Sequence, residues 1–204
     1  MVEKAAFFTQ FTGFDFSQVE LLRGGTAMGG VPAMSFANTI SVNTAYAPIV
    51  NGKMQIDDWM QQVIAFHETV HTMQSMMYGI RANSPLDQGM AVIGGGSRNG
   101  AYLVDDARLD ATKSVHDLAD HWEQQAELIE ATLRVMWANT RKGVAADALP
   151  AGVATLDVGG GIVHLTPERW QKMVGFVREL GTSARNSLAL TGGKFVIKPY
   201  QKPI

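Results

Sequence analysis

Three stretches of the chain carry apolar residues at the three- and four-residue spacing of an amphipathic helix. The clearest of them opens with Asp57 or Asp58 as its cap and closes at Gly79. The next opens with Ser114 and Asp117, which resemble a capping box. The predicted helices span residues 57–78, 114–140 and 167–181, the last with Thr166 as its cap and Pro167 at its first helical position.

Shorter patterns predict strands and irregular segments around these helices. Alternating and β-branched residues over 34–43 predict a strand centred on residues 39–42. Further strands are predicted at residues 162–165 and, as an edge strand, at residues 195–198. The strand at 39–42 is either an ordinary sheet strand or an edge that binds a substrate backbone by strand addition.

Two Gly-rich segments are expected to lack regular structure. Residues 1–30 end in GGTAMGG and predict an irregular N-terminal arm with a short helix at residues 17–22. Residues 80–100 contain Pro85 and the run GGGSRNG. An unstructured stretch of that length is typical of a binding loop at the rim of a site.

Composition limits the fold and the partners. The chain has 204 residues, of which 46% are hydrophobic and 18% charged, so one domain over residues 1–204 is expected, with two small domains as the alternative. The predicted helices and strands make this domain α+β, with a core at 34–137 and a C-terminal part at 144–204. A net charge of −2 without a basic cluster argues against nucleic acid as a partner. No apolar run is long enough for a membrane span. The first residues lack a clean signal-peptide core, so we expect a cytoplasmic protein or one exported by a specialised secretion system.

Residues 67–71 read His-Glu-Thr-Val-His and lie inside the clearest predicted helix. Positions i and i+4 share one helix face, so His67 and His71 present two imidazoles to one point in space. Glu68 lies beside them, where it can reach a metal-bound water without being a ligand. Zinc hydrolases use this spacing, with the histidines as ligands and the glutamate as general base. The alternative is a core helix that carries two buried, hydrogen-bonded histidines.

The chain contains no cysteine, so a third zinc ligand has to be a histidine or a carboxylate. A catalytic zinc takes three protein ligands and one water. The candidates are His116, His121, His164 and the carboxylates of the stretch Glu123-Gln-Gln-Ala-Glu127. Glu123 completes a His-His-Glu site if its helix packs against the helix that carries the motif. Glu127, one turn further on, then accepts a hydrogen bond from a ligand histidine.

The second predicted helix has an apolar stripe with charged residues along its flank. The stripe consists of Leu118, Trp122, Ala126, Ile129, Leu133 and Met136. The flank consists of Glu123, Glu127, Glu130 and Arg134. This flank is either a wall of the metal site or a solvated face whose glutamates have no role, and the zinc motif favours the first interpretation.

An HExxH helix followed by a helical ExxxE pattern resembles the gluzincin metallopeptidases, whose third ligand is the first glutamate of an ExxxD or similar pattern. Residues 123–127 match it, with Glu127 in place of the more usual aspartate. The chain is also similar to small peptidase domains associated with bacterial polymorphic toxins and contractile injection systems. That similarity rests on a strand at residues 40–43, on the stretch His-Glu-Thr-Val-His-Thr-Met-Gln at 67–74, and on the later glutamates; it covers residues 34–137.

The resemblance implies a zincin-like fold and a zinc-dependent peptidase acting on a peptide or protein substrate. His67, His71 and Glu123 would hold Zn²⁺, and Glu127 would support a ligand histidine. Glu68 would take the proton from the zinc-bound water and pass it to the leaving amine. The donor that stabilises the oxyanion stays open among Tyr78, Tyr102, His116, His121 and His164.

A second function class stays open beside the peptidase. The chain could be a noncatalytic metal-binding accessory or interaction domain of a larger assembly. Glu68 favours the enzyme, because a purely structural zinc site has no use for a base beside its ligands.

Overall fold

Helices and short strands occur in separate groups along the chain, which confirms the α+β class. The computed structural model describes residues 1–25, 30–78, 121–158 and 162–195. The helices are α1 (Val2–Thr12), α2 (Asp58–Gln62), α3 (Thr69–Tyr78), α4 (His121–Arg141) and α5 (Pro167–Ala189). The strands are β1 (Glu20–Gly24), β2 (Ala33–Phe36), β3 (Thr39–Asn43), β4 (Ile49–Val50), β5 (Lys53–Met54), β6 (Thr155–Asp157) and β7 (Ile162–His164).

Helices α2 and α3 are joined by a π-helical turn, Val63–Glu68, into one helical run over residues 58–78, here called the motif helix. It confirms the first predicted helix, and Asp57 caps it by accepting a hydrogen bond from the Met60 amide at 2.7 Å. The π turn contains both His67 and Glu68. Single π turns inside α-helices occur frequently at functional sites.

The main sheet has the strand order β1-β3-β2, with β1 parallel and β2 antiparallel to β3. Residues 39–42 are a strand as predicted, but the single strand expected over 34–43 is a hairpin that turns at Ala37, whose φ is 56°. Of the two alternatives for residues 39–42, the ordinary sheet strand is confirmed and the substrate-binding edge is wrong, because β1 and β2 pair with both sides of β3. The edge strand on the side of the motif helix is β2, whose Ser35 hydroxyl donates to Glu68.

The N-terminal residues form regular structure where an irregular arm is predicted. Val2–Thr12 is the helix α1. The short helix expected at residues 17–22 is limited to a 3-10 turn at Phe16–Gln18, because residues 20–22 belong to β1. Helix α1 is fixed by tertiary packing: its Phe7 ring lies 5.8 Å from that of Phe66 and 5.2 Å from that of Trp137 between centroids. Such packing overrides weak local helix propensity.

Helices α4 and α5 complete the core against the motif helix. Helix α4 confirms the second predicted helix from residue 121 onwards, whereas its predicted start at Ser114 lies outside the described residues. Helix α5 begins at Pro167 with Thr166 as its cap, as predicted, but it continues through Gly181 to Ala189. Gly181 is a packing residue rather than a stop, since a Cβ there would lie 1.8 Å from the carbonyl oxygen of Thr12.

Two short hairpins flank this core, β4–β5 and β6–β7. Strand β7 confirms the strand predicted at residues 162–165, and β6 is an additional strand that pairs with it. The predicted loop at 80–100 lies outside the described residues, as does the predicted edge strand at 195–198 apart from Phe195. Within the described ranges no helix is both long and apolar enough to cross a membrane.

Candidate metal centre

His67 and His71 lie one helical turn apart on the motif helix and point to the same place. Their Nε2 atoms are 3.2 Å apart, and the two rings are nearly perpendicular, at 83°. Both side chains are buried, with His67 8% and His71 2% exposed. The convergence that the sequence spacing predicts is therefore present in the structure.

The His67 ring is held from α4. Its Nδ1 lies 2.9 Å from Oε2 of Glu130, and the other Glu130 oxygen accepts a hydrogen bond from Nε of Arg134 at 2.8 Å. Arg134 also donates to the side-chain oxygen of Gln62 at 3.0 Å. An ionised carboxylate can only accept, so His67 carries its proton on Nδ1.

Burial and electrostatics oppose each other at Glu130. Burial raises the pKa of its carboxyl group, but the hydrogen bonds from His67 and Arg134 and the positive charge of Arg134 outweigh this, and the pKa stays below its usual value. Glu130 is therefore ionised at neutral pH. It remains an acceptor for the His67 Nδ1 proton.

The His71 ring is held by an amide pair. Its Nδ1 lies 2.7 Å from Oε1 of Gln74, and the Gln74 Nε2 group donates to Oε1 of Gln125 at 2.7 Å. The second hydrogen bond orients the Gln74 amide so that its oxygen faces the histidine. His71 therefore also carries its proton on Nδ1.

These contacts determine what the two Nε2 atoms offer. With both protons on Nδ1, each neutral imidazole presents the lone pair of Nε2, and the two atoms face each other at 3.2 Å. Two lone pairs at that distance repel unless a proton or a metal ion lies between them. Tetrahedral zinc with Zn–N bonds near 2.05 Å separates two ligand nitrogens by about 3.3 Å. The histidine pair thus fits a zinc ion in spacing, tautomer and burial.

Glu68 lies next to the histidine pair and is 6% exposed. Its Oε2 accepts a hydrogen bond from the Ser35 hydroxyl of β2 at 2.7 Å. Glu68 and both histidines line one cavity of about 1000 Å³. The structure therefore places the predicted base and the two predicted histidine ligands at the same site, and it adds Ser35, for which the sequence carries no signal.

Helix α4 supplies the carboxylates on the far wall of this cavity. Glu127 is 6% exposed and Glu130 has an 18% exposed side chain, and both line the cavity, so the alternative of a solvated face is wrong for these two residues. The structure describes the backbone of Glu123 within α4 but not its side chain. Glu130 makes with His67 the kind of contact that the sequence predicts for Glu127.

The register between the motif helix and α4 decides which turn of α4 faces the histidines. The side-chain contacts pair Gln62 with Arg134, His67 with Glu130, and Gln74 with Gln125. The two helices are therefore antiparallel. Glu127 lies between Gln125 and Glu130 and so is level with the stretch that contains His71. Glu123 is about 6 Å further along the helix axis than Glu127.

The remaining predicted ligands and donors do not join this site in the part of the chain that is described. The His164 side chain is exposed on β7 and does not line the cavity; the wall on that side is formed by Leu156 and Asp157 of β6. Tyr102 and His116 lie outside the described residues, as do the side chains of Tyr78 and His121. Among described side chains, no three of His, Asp and Glu form a metal-binding group.

Comparison of the chain with protein-family models, with curated proteins and with solved structures found no match. The resemblance to gluzincins rests on residues 67–71 and 123–127 alone. Any function assigned to this site depends on the geometry of its own residues.

Proposed function

We propose that this protein is a zinc-dependent peptidase in which His67 and His71 bind the metal and Glu68 is the general base. The observation that carries the proposal is the pair of Nε2 atoms 3.2 Å apart, with both Nδ1 protons fixed by acceptors. Zinc bound there would lower the pKa of a water molecule towards about 7 and polarise the scissile carbonyl. The zincin-like architecture expected from the sequence is part of this proposal.

The third ligand in this proposal is a carboxylate of α4. The ExxxE spacing favours Glu123, whereas the antiparallel register favours Glu127, which lines the cavity with both histidines. We favour Glu127 as ligand, with Glu130 as the carboxylate that orients His67. Because His67, His71 and Glu127 do not form a metal-binding group in the structure, this assignment requires the Glu127 side chain to turn towards the histidines. A carboxylate that accepts the second ring proton of a ligand histidine fixes its orientation and raises its basicity.

Glu68 would do the proton transfer. Ser35 donates to Oε2, so that Oε1 can accept the proton of the attacking water and deliver it to the leaving amine nitrogen. Burial of the carboxylate beside the histidines excludes bulk water from this transfer. A purely structural metal site would not require a buried carboxylate at that position.

The substrate in this proposal is an extended peptide that lies along β2. This strand pairs with β3 on one side and lies beside the motif helix, and its Ala33 and Met34 line the cavity. An extended backbone can add to such an edge through main-chain hydrogen bonds, which give affinity with little dependence on sequence. The proposal for residues 39–42 is thus replaced by one for residues 33–36.

The proposal is tested by measuring zinc content and cleavage of a broad peptide library in parallel. We expect about one zinc per chain in the wild type and in Glu68→Gln, with cleavage lost in the latter. We expect zinc loss in Glu127→Ala and retention in Glu123→Ala, and the reverse result would assign Glu123 as the ligand. Glu179→Ala, on the exposed face of α5, is the matched control and should change neither readout.

Two results would contradict the proposal in different ways. A wild type that takes up no zinc after reconstitution would leave the motif as two buried, hydrogen-bonded histidines. A wild type that binds zinc but cleaves no member of the library would favour the noncatalytic metal-binding domain.

A further inference from the structure

The cavity continues away from the histidines as a groove between the motif helix and α4. Trp59, Val63 and His67 follow each other at four-residue intervals on one helix and all line it. Because the helices are antiparallel, the Trp59 end of the groove lies beside the Ala138 end of α4. At 1.5 Å per residue, the groove extends on the order of 10 Å beyond the histidine pair.

Two aromatic side chains form one wall at the far end of this groove. Trp59 is 45% and Tyr46 43% exposed, and their ring centroids are 6.3 Å apart. The Tyr46 hydroxyl donates to the carbonyl of Gly30 at 2.7 Å, which fixes the ring against the neighbouring wall. Half-exposed aromatic rings held in place at the mouth of a cavity are typical of a binding surface rather than of a core.

The surroundings of this aromatic pair indicate the chemistry of the occupant. Val63, Val135, Ala138 and Leu156 line the same cavity and are apolar. The one basic residue among the described lining residues, Arg134, already donates to Glu130 and Gln62. The groove therefore favours an apolar side chain over an acidic one. An extended peptide rises about 3.3 Å per residue, so this side chain would lie two or three residues from the scissile bond.

We propose that Trp59 and Tyr46 form a subsite that binds a large apolar side chain of the peptide substrate and so determine specificity. This inference rests on the proposed peptidase function, from which it takes the identity of the ligand as a peptide. The subsite is continuous with the metal centre through Val63, which lies one turn from Trp59 and one turn from His67.

The test has a cleavage arm and a binding arm. In the first, kcat/KM is measured for quenched peptides that differ only at the preferred library position, carrying Phe, Leu, Gly, Lys or Glu. We expect Trp59→Ala to lower kcat/KM for the Phe and Leu peptides roughly 10- to 100-fold and to change the Gly peptide little. Trp59→Phe, which retains a ring, should lose less, and Leu190→Ala, at a residue that is 85% exposed, is the control.

In the second arm, zinc-loaded Glu68→Gln protein is titrated with the same peptides by calorimetry. This arm needs no turnover. If the wild-type protein cleaves none of the peptides but the titration still shows a preference for Phe and Leu, the peptidase is contradicted and the subsite is supported. A preference for Lys or Glu would overturn the subsite. An apolar preference that Trp59→Ala leaves unchanged would also overturn it.

Discussion

The orientation of each imidazole depends on one acceptor outside the HExxH residues. For His71 this acceptor is Gln74, at 2.7 Å from Nδ1. We expect Gln74→Leu to weaken zinc binding roughly 10- to 100-fold, because the ring loses the partner that fixes its tautomer. Competition with a fluorescent chelator measures this change.

The neighbouring Ser75 offers a matched control for Gln74. Its hydroxyl donates to the carbonyls of Thr72 and Ala37 rather than to a histidine ring. Ser75→Ala should leave the zinc affinity unchanged. The double variant Gln74→Leu and Gln125→Leu removes both amides of the pair. A zinc affinity equal to that of the wild type in this double variant would contradict the role of Gln74.

We predict that the Ser35 hydroxyl affects the rate of the reaction but not the binding of zinc. Removing its hydroxyl takes away the donor that holds Oε2 of Glu68, at 2.7 Å. We expect Ser35→Ala to lower kcat about tenfold, the value of one net hydrogen bond, with zinc content unchanged. Steady-state kinetics separate this from a binding defect, and Ser41→Ala on β3 is the control. A change confined to KM would contradict the positioning of Glu68 by Ser35.

The site residues differ in how far the sequence can predict them. His67, Glu68 and His71 follow from a local pattern, because helix periodicity alone brings positions i and i+4 together. Glu130 could be placed only on a charged flank of a predicted helix. Its contact with His67, 63 residues away in sequence, depends on how the motif helix and α4 align, and no local pattern encodes that alignment.

At the scale of elements, α1 and α5 cross where Gly181 meets Thr12. A Cβ at Gly181 would lie 1.8 Å from the Thr12 carbonyl oxygen, which is backbone and cannot rotate away. Gly181→Ala should therefore destabilise the protein by roughly 1–3 kcal/mol through overpacking. Urea unfolding followed by circular dichroism measures the change.

Gly175 is the matched control on the same helix. It is exposed, and an added Cβ would meet nothing within 4 Å. Gly175→Ala should stabilise the protein by about 0.5–1 kcal/mol, since alanine is the better helix former. Equal effects of the two substitutions would show that the helices do not cross at Gly181.

The sequence predicts whether a segment is a helix or a strand better than it predicts which other elements that segment packs against. The motif helix and β3 were expected where they occur, because apolar periodicity, an aspartate cap and β-branched residues are local signals. The position of β3 in the middle of the sheet cannot be predicted in the same way, because its partner strand β1 lies in a segment for which the sequence predicts irregular structure. Helix α1 was missed for a related reason: buried phenylalanines hold it against Phe66 and Trp137, both distant in sequence.

At the scale of the whole molecule, a charge contact attaches the N-terminal helix to the motif helix. Lys4 is buried and donates to Asp58 at 2.6 Å. Hydrogen bonds from Lys4 and Gln62 hold the pKa of Asp58 below its usual value. Because the unfolded chain then binds more protons, the contact stabilises the fold above about pH 4, and this contribution is lost as pH falls through the folded pKa.

Asp58→Asn should therefore lower the free energy of unfolding at pH 7 by less than about 1 kcal/mol, since the Asp58 side chain is 74% exposed. The difference from wild type should shrink as the pH falls below about 4, because the carboxyl group becomes protonated first in the unfolded chain and then in the folded protein. Urea unfolding between pH 7 and pH 2 measures it, with Glu179→Gln as the exposed control. A difference that does not shrink with falling pH would assign the effect to packing and not to charge.

Zinc binding should stabilise the whole molecule, because its proposed ligands join two helices that are distant in sequence. His67 and His71 lie on the motif helix, and the third ligand lies on α4. A ligand that binds only the folded state, present at 100 times its Kd, adds about 2.7 kcal/mol to the free energy of unfolding. For a chain of this size this corresponds to a Tm increase of roughly 5–11 °C.

Scanning calorimetry of the apo and zinc-loaded protein should show this increase, and His71→Ala should abolish it. Magnesium, which prefers six oxygen ligands, should not reproduce it in the wild type. An equal Tm increase from zinc in His71→Ala would place the metal elsewhere and contradict the site.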